Sequence, residues 1–164
     1  MGAVSGLRWL PMTELTAEEM AQSLNASLDG WNRATGLRFV RATADEVVAE
    51  LDIGEAHRQP YGIVHGGVHA GMIETTASVG AAIYAMKHGQ SVVGLENHTS
   101  FIKAVREGML RITARPITRG RRTQVWEGTV TNAAGNTVAT GRVRLLSLEP
   151  GALLAGETAD VKLG

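Results

Sequence analysis

Between Gln59 and Met86 the chain carries one carboxylate, Glu74. Histidines aside, every other residue there is apolar, small or uncharged polar. Upstream of it, His65-Gly66-Gly67 stands where a loop becomes a helix. A helix start presents free backbone N–H groups and the positive end of the dipole. Glycines let a ligand come close to that backbone. Such a place holds a carbonyl oxygen and stabilises it as negative charge develops. Glu74, about two turns further on, offers a carboxylate that could attack a carbonyl or activate a water. Ser78, four residues beyond, shares its face and could hold that water. The chemistry this spacing suggests is acyl transfer. The plain alternatives are a glutamate facing solvent and a Gly-Gly turn that merely caps the helix. Against the first, a solvated helix face normally carries several charges, and this helix has one. His65 and His69 are four residues apart, but HGGVH lacks the glutamate of the HExxH zinc motif. They read as structural or oligomer-facing histidines, and no metal is expected.

These residues need elements to position them. Thr16-Ala17-Glu18-Glu19 fits a capping box and predicts a helix from Ala17 to about Leu28, stopped at Asp29-Gly30. Short strands are predicted over Leu37–Arg41 and Glu46–Ile53, then a loop from Glu55 to Tyr61 carrying Pro60. Val68–Met86 has helix length, many alanines and no proline, and ends at His88-Gly89. A helix with so little charge is a buried helix. Its small residues Gly71, Ala77, Gly80, Ala81 and Ala82 would let a sheet approach closely. Four β-like stretches follow, Ser91–Lys103, Met109–Thr118, Thr123–Asn132 and Thr137–Leu148. The third alternates with the two-residue period of a half-buried strand. The joints Arg106-Glu107-Gly108, Arg119-Gly120-Arg121 and Asn132 to Asn136 read as hairpin turns. Strands that cluster late, without alternating with helices, indicate an α+β fold: one antiparallel sheet covering the apolar helix.

Bulk properties narrow the function. The 164 residues suit one domain with a sizeable core. Sixteen basic residues balance sixteen acidic ones, which argues against broad binding to nucleic acid or an anionic membrane. There is no cysteine, so disulfides, thiol nucleophiles and cysteine metal sites are excluded; a reducing cytoplasm fits. The first twelve residues read as a loose arm without a signal-peptide h-region. No stretch has the composition of a spanning helix. Residues 1–35 are expected to form an N-terminal arm and helix, 36–150 the main domain, and 151–164 a peripheral tail.

The run Gln59-Pro60-Tyr61-Gly62-Ile63-Val64-His65-Gly66-Gly67, followed by Glu74 and by Gly94-Leu95-Glu96-Asn97-His98-Thr99-Ser100-Phe101, resembles the hotdog-fold acyl-CoA thioesterases. It is most similar to the 4-hydroxybenzoyl-CoA thioesterases of the Arthrobacter type and the phenylacetate-pathway (PaaI-like) group, over roughly Gly36 to Leu148. The resemblance implies a curved antiparallel sheet wrapped around the long helix. It also implies protomers paired edge to edge, a tetramer of two dimers, and active sites between protomers. By the same resemblance Glu74 is nucleophile or general base and the Gly66 N–H polarises the thioester carbonyl. Gln59 and His65 position the thioester, and Ser78 lies near the attacking water. Coenzyme A is bound as substrate, with no cofactor. Asn97, His98 and Thr99 would run beside the pantetheine channel, with His98 against substrate; a buried structural histidine is the alternative. Arg119-Gly120-Arg121-Arg122-Thr123 is the basic turn suited to the phosphates of coenzyme A, a solvated hairpin tip being the alternative. The helix and arm ahead of the matched region depart from the pattern.

The expected function is hydrolysis of an aryl- or medium-chain acyl-CoA. A hotdog dehydratase acting on 3-hydroxyacyl thioesters would pair His57 with Glu74 across the subunit boundary, but His57 leads into Arg-Gln-Pro-Tyr and not a Phe-Pro type loop. A non-catalytic acyl-CoA sensor would need a DNA-binding module, for which the first 35 residues are too short and too weakly basic.

Overall fold

The computed structural model describes residues 15–28 and 30–159. The expected N-terminal arm, the stop at Asp29 and the last five residues of the tail lie outside the described residues.

α1 (Ala17–Ala26) starts at the foreseen capping box: Thr16 Oγ1 accepts from the Glu19 N–H at 3.2 Å, and Glu19 Oε2 accepts from the Thr16 N–H at 2.8 Å. α1 ends two residues before Leu28, and a second short helix, α2 (Gly30–Thr35), follows where none was expected. β1 (Arg38–Ala42) and β2 (Val47–Asp52) lead through a 3-10 turn, Glu55–His57, to the long helix α3 (Gly66–Met86). α3 begins two residues earlier than Val68, because His65 caps it. β3 (Ser91–Phe101), β4 (Met109–Arg119), β5 (Thr123–Asn132) and β6 (Thr137–Leu148) complete one antiparallel sheet of order β1-β2-β4-β5-β6-β3. The sheet curves around α3, the hotdog arrangement with an additional N-terminal helix. The tail adds a two-stranded hairpin, β7 (Leu153–Leu154) and β8 (Glu157–Thr158).

The core lies between the sheet and α3, where Trp126, Met72, Ile73, Leu110, Ile112 and Leu145 are fully buried. Gly80 makes room for Trp126; a Cβ at position 80 would sit inside that ring. Gly71, however, does not face the sheet. A Cβ there would sit inside the ring of Trp31 on α2.

One of the three expected hairpins is not one. β3 pairs with β6 and not with β4. The Arg106-Glu107-Gly108 joint is instead a crossover from the sheet edge to its interior. It braces the loop before α3: the Val64 N–H donates to Val105 O at 2.8 Å, Arg58 Nε to Arg106 O at 3.0 Å, and Arg106 Nη1 to Tyr61 O at 2.9 Å. The other two joints, at Gly120 and Gly135, are hairpins as read.

The two sheet edges differ. β1 is guarded by α1: Asn25 donates to Phe39 O and accepts from the Phe39 N–H, both at 2.8 Å. β3 has eleven residues, exposed Leu95 and Phe101, and an outer edge with no strand partner among the described residues.

Candidate active site

The loop into α3 is a tight turn. The Gln59 N–H donates to Ile63 O at 2.9 Å, and the Gly62 N–H donates to Gln59 O at 2.8 Å. Gly62 takes φ +73°, a left-handed conformation that favours glycine. The Gln59 side chain accepts a long bond from the Tyr61 N–H at 3.4 Å. His57 is buried and closes the turn from below. Its Nδ1 accepts from the Gly54 N–H at 2.8 Å, which leaves Nε2 as the N–H donor to Thr35 O at 2.8 Å. Both ring nitrogens are engaged, so within this chain His57 is not presented as the base that the dehydratase reading needs.

His65 caps α3. Its Nδ1 accepts from the Gly67 N–H at 2.9 Å, and its carbonyl accepts from the Val68 N–H at 2.9 Å. With Nδ1 accepting, Nε2 carries the proton and faces outward as a donor. The Gly66 N–H has no acceptor among the described residues. It is the one first-turn donor left open for a ligand oxygen, at the positive end of a 21-residue helix. Phe101 of β3 lies against Gly66: a Cβ there would come within 2.6 Å of the ring.

Gly66, Ala70, Glu74 and Ser78 recur every four residues and share a face of α3. That face meets β3. Asn97 Nδ2 donates to Glu74 Oε2 at 2.9 Å and to Ala70 O at 3.0 Å. Asn97 Oδ1 accepts from Thr99 Oγ1 at 2.7 Å, which fixes the amide's orientation. One carboxylate oxygen is thus tethered. The other, Oε1, has only Ser78 Oγ at 3.5 Å, too long for a strong O–H···O bond. Oε1 has its space because residue 94 is glycine; a Cβ there would lie 2.5 Å from it. A half-buried carboxylate with one oxygen held and one free is placed to take a proton from water or to attack an electrophile.

The structure therefore brings together Gly66, Glu74, Ser78, Asn97 and Thr99, with Gln59 and His65 on the adjoining turn. It does not bring His98 there. Asn97 points at α3, so His98 points to the opposite face, where it is exposed beside Arg142 and Glu127. Nor does it bring the basic turn. Arg121, Arg122 and Thr123 are exposed, and the preceding Arg119 stacks on Tyr84, near the C-terminal end of α3, with its guanidinium carbon 4.8 Å from the ring centroid. Sequence reasoning missed Gly94 and Phe101 as site contacts. A glycine inside a strand is a signal of close approach that could have found the first.

A cavity of about 400 Å³ adjoins the α3 start, lined by Trp31, Thr35, Ala56, His57, His65, Gly67 and others. A second, of about 460 Å³, lies on the outer face of the sheet around His98, Glu127 and Arg142. Among the described residues no cluster of three or more His, Asp or Glu is placed to hold a metal. Among the described residues no helix is long and apolar enough to cross a membrane.

The description of the Thioesterase superfamily matches residues 61–139, which hold the α3 start, Glu74 and β3. A Mycobacterium tuberculosis protein with the name "Putative esterase Rv1847" is 43% identical over 116 residues, 70% of this chain and 83% of its own length. This chain belongs to the thioesterase superfamily. The reaction class of that superfamily is thioester hydrolysis. The solved structure of the Mycobacterium protein superposes with a TM-score of 0.72, covering 73% of this chain and 96% of that one. The proofreading thioesterase EntH of Cronobacter turicensis is 32% identical over 108 residues, 66% of this chain and 78% of its own length. The thioesterase HI1161 of Haemophilus influenzae is 25% identical with a TM-score of 0.73, over 82% of this chain and 92% of that one.

Proposed function

We propose that the protein hydrolyses an aryl- or medium-chain acyl-CoA to the free acid and coenzyme A, with Glu74 as the catalytic carboxylate. The observation that carries this reading is the pair of open groups on one helix: the unbonded Gly66 N–H and the free Oε1 of a Glu74 tethered through Oε2. The thioester oxygen lies on the Gly66 N–H, and His65 Nε2–H and the Gln59 amide flank it. Glu74 takes a proton from a water held with Ser78. The water oxygen bonds to the carbonyl carbon and forms a tetrahedral oxyanion. The C–S bond then breaks, and the coenzyme A thiolate leaves and is protonated. In the other route Glu74 Oε1 attacks the carbon itself, and water cleaves the resulting anhydride. Oxygen-18 from water, incorporated into Glu74 in a single turnover, would mark the second route. No cofactor enters either route.

The site is completed by a second copy of the chain. Gly66 and Glu74 are eight residues apart, about 12 Å along the helix axis. Reacting atoms must approach to about 3–3.5 Å. A carbonyl on one protomer's Gly66 meets a carboxylate more readily if the partner supplies it. The open β3 edge, which carries the Asn97–Glu74 tether and the exposed Phe101, is the edge a second copy would pair with. Two such dimers would form the tetramer.

The test is free-thiol release from benzoyl-CoA, 4-hydroxybenzoyl-CoA and a series of fatty acyl-CoAs. Turnover of at least one is expected. Thioester binding without release would contradict the reading and favour a sensor.

A further inference from the structure

Resting on that reading, we infer that Trp31 of α2 is the end wall of the acyl pocket and sets the length of acyl chain the enzyme accepts. The 400 Å³ cavity touches His65 and Gly67, the residues on either side of the proposed carbonyl position at Gly66. Its volume falls in the range of small-molecule sites. A thioester has two arms to place. The coenzyme A arm is hydrophilic and belongs in solvent; the acyl arm needs apolar enclosure.

The lining suits the acyl arm. Trp31, Ala56 and Val68 are apolar. The polar members are largely consumed within the chain. The Thr35 hydroxyl donates to Trp31 O at 2.9 Å, both His57 nitrogens are bonded, His65 Nδ1 holds the Gly67 N–H, and Arg58 Nε holds Arg106 O. What is left presents carbon to the cavity, apart from His65 Nε2 at the carbonyl end and the outer nitrogens of Arg58. The other cavity is lined by His98, Glu127, Arg142 and hydroxyls, a poor place for an alkyl or aryl group.

The wall is fixed. Trp31 fills the notch that Gly71 leaves on α3. Next to it, Thr75 Oγ1 donates to Asn32 Oδ1 at 3.1 Å, and His57 Nε2 donates to Thr35 O at 2.8 Å. Two contacts hold the six residues of α2 against the helix that carries the site, and the third ties them to the turn before it. Trp31 nevertheless keeps 42% of its surface exposed, so it is not a core residue. A large ring held rigidly but left partly uncovered beside a cavity is placed to meet a ligand.

The experiment measures kcat/KM for saturated acyl-CoAs from two to sixteen carbons on wild type, Trp31→Ala, Trp31→Phe and Gly71→Ala, with thermal unfolding of each. Trp31→Ala is expected to move the preferred chain length upward by several carbons and to raise kcat/KM on the longer chains at least tenfold. Trp31→Phe should keep most of the wild-type profile. Gly71→Ala, which drives the ring from its notch without touching the cavity, should also shift the profile. Wild-type and Trp31→Ala profiles that stay parallel across the series, whatever their height, would overturn the inference and leave the hydrolase reading standing. A folded wild type that releases thiol from benzoyl-CoA or 4-hydroxybenzoyl-CoA but from no chain of the series would overturn the chain-length inference alone; release from none of these thioesters would overturn both.

Discussion

The two halves of α3 are built for different ends. Towards its C-terminus the buried polar side chains packed on it, Gln124 and Trp126, are hydrogen-bonded. Trp126 fills the notch at Gly80, its Nε1 donates to Gln124 Oε1 at 3.1 Å, and Gln124 Nε2 donates to Ala81 O at 3.2 Å. Gln124 and Trp126 are both fully buried. Towards its N-terminus the same helix leaves a backbone N–H open at Gly66, a carboxylate oxygen free at Glu74 and a phenyl ring exposed at Phe101. Glycine serves both halves, admitting an indole at position 80, a phenyl ring at 66 and a carboxylate at 94. Packing that is complete at one end gives the helix the rigidity with which the other end can hold unsatisfied groups in place.

That contrast can be broken from either side. Glu74→Gln keeps shape and removes the charge; kcat on a good thioester substrate should fall about 10²–10⁴-fold, as for loss of a general base, with unfolding temperature unchanged. Gly66→Pro is the matched change at the backbone. Proline is tolerated at the first helical position, where it removes only the open N–H. The exposed Phe101 ring must swing aside to admit it. A loss of about 10²–10³-fold in kcat is expected, as for an oxyanion donor. If Gly66 of one copy works with Glu74 of another, hetero-oligomers of these two inactive variants should regain part of the activity. Asn97→Ala frees the carboxylate to rotate, and a misplacement of that kind costs up to about 10²-fold; Thr99→Val, one step further from Glu74, should cost less.

In the packed half, Gly80→Ala forces a methyl into the Trp126 ring and should destabilise by about 1–3 kcal/mol, read as a fall in unfolding temperature, with turnover per folded molecule retained. His69 gives the smallest effect. It is buried, its Nδ1 has no hydrogen-bond partner among the described residues, and burial holds its pKa below the ordinary value. The unfolded chain takes up that proton near pH 6.5 while the folded chain resists it. The histidine's part in stability is therefore complete above that pH and declines as pH falls towards the folded value. His69→Leu should flatten unfolding temperature against pH in that window.

Much of this was legible in the sequence because it is local. The capping box at Thr16, the uncharged helix with its one glutamate, and the glycine pair at its start are short-range patterns, and the elements form within two residues of where they predict. What lies between distant segments was not legible. Nothing in Arg106-Glu107-Gly108 distinguishes a hairpin from a crossover; that depends on β3 pairing with β6, some fifty residues on. Nor does the chain announce that Gly71 receives Trp31 and not the sheet, since the six residues of α2 are too few to show a period. His98 is a different case. Alternation along β3 puts it opposite Asn97, so a contact of Asn97 with Glu74 excludes one for its neighbour.

The most direct test of the division within α3 is one paired experiment: thiol release and thermal unfolding for wild type, Glu74→Gln and Gly80→Ala, on the same acyl-CoA. The expected pattern is crossed. Glu74→Gln loses turnover by at least about 10²-fold and keeps its unfolding temperature, while Gly80→Ala loses unfolding temperature and keeps turnover. A Glu74→Gln protein that releases thiol at the wild-type rate would contradict the central claim that this carboxylate does the chemistry.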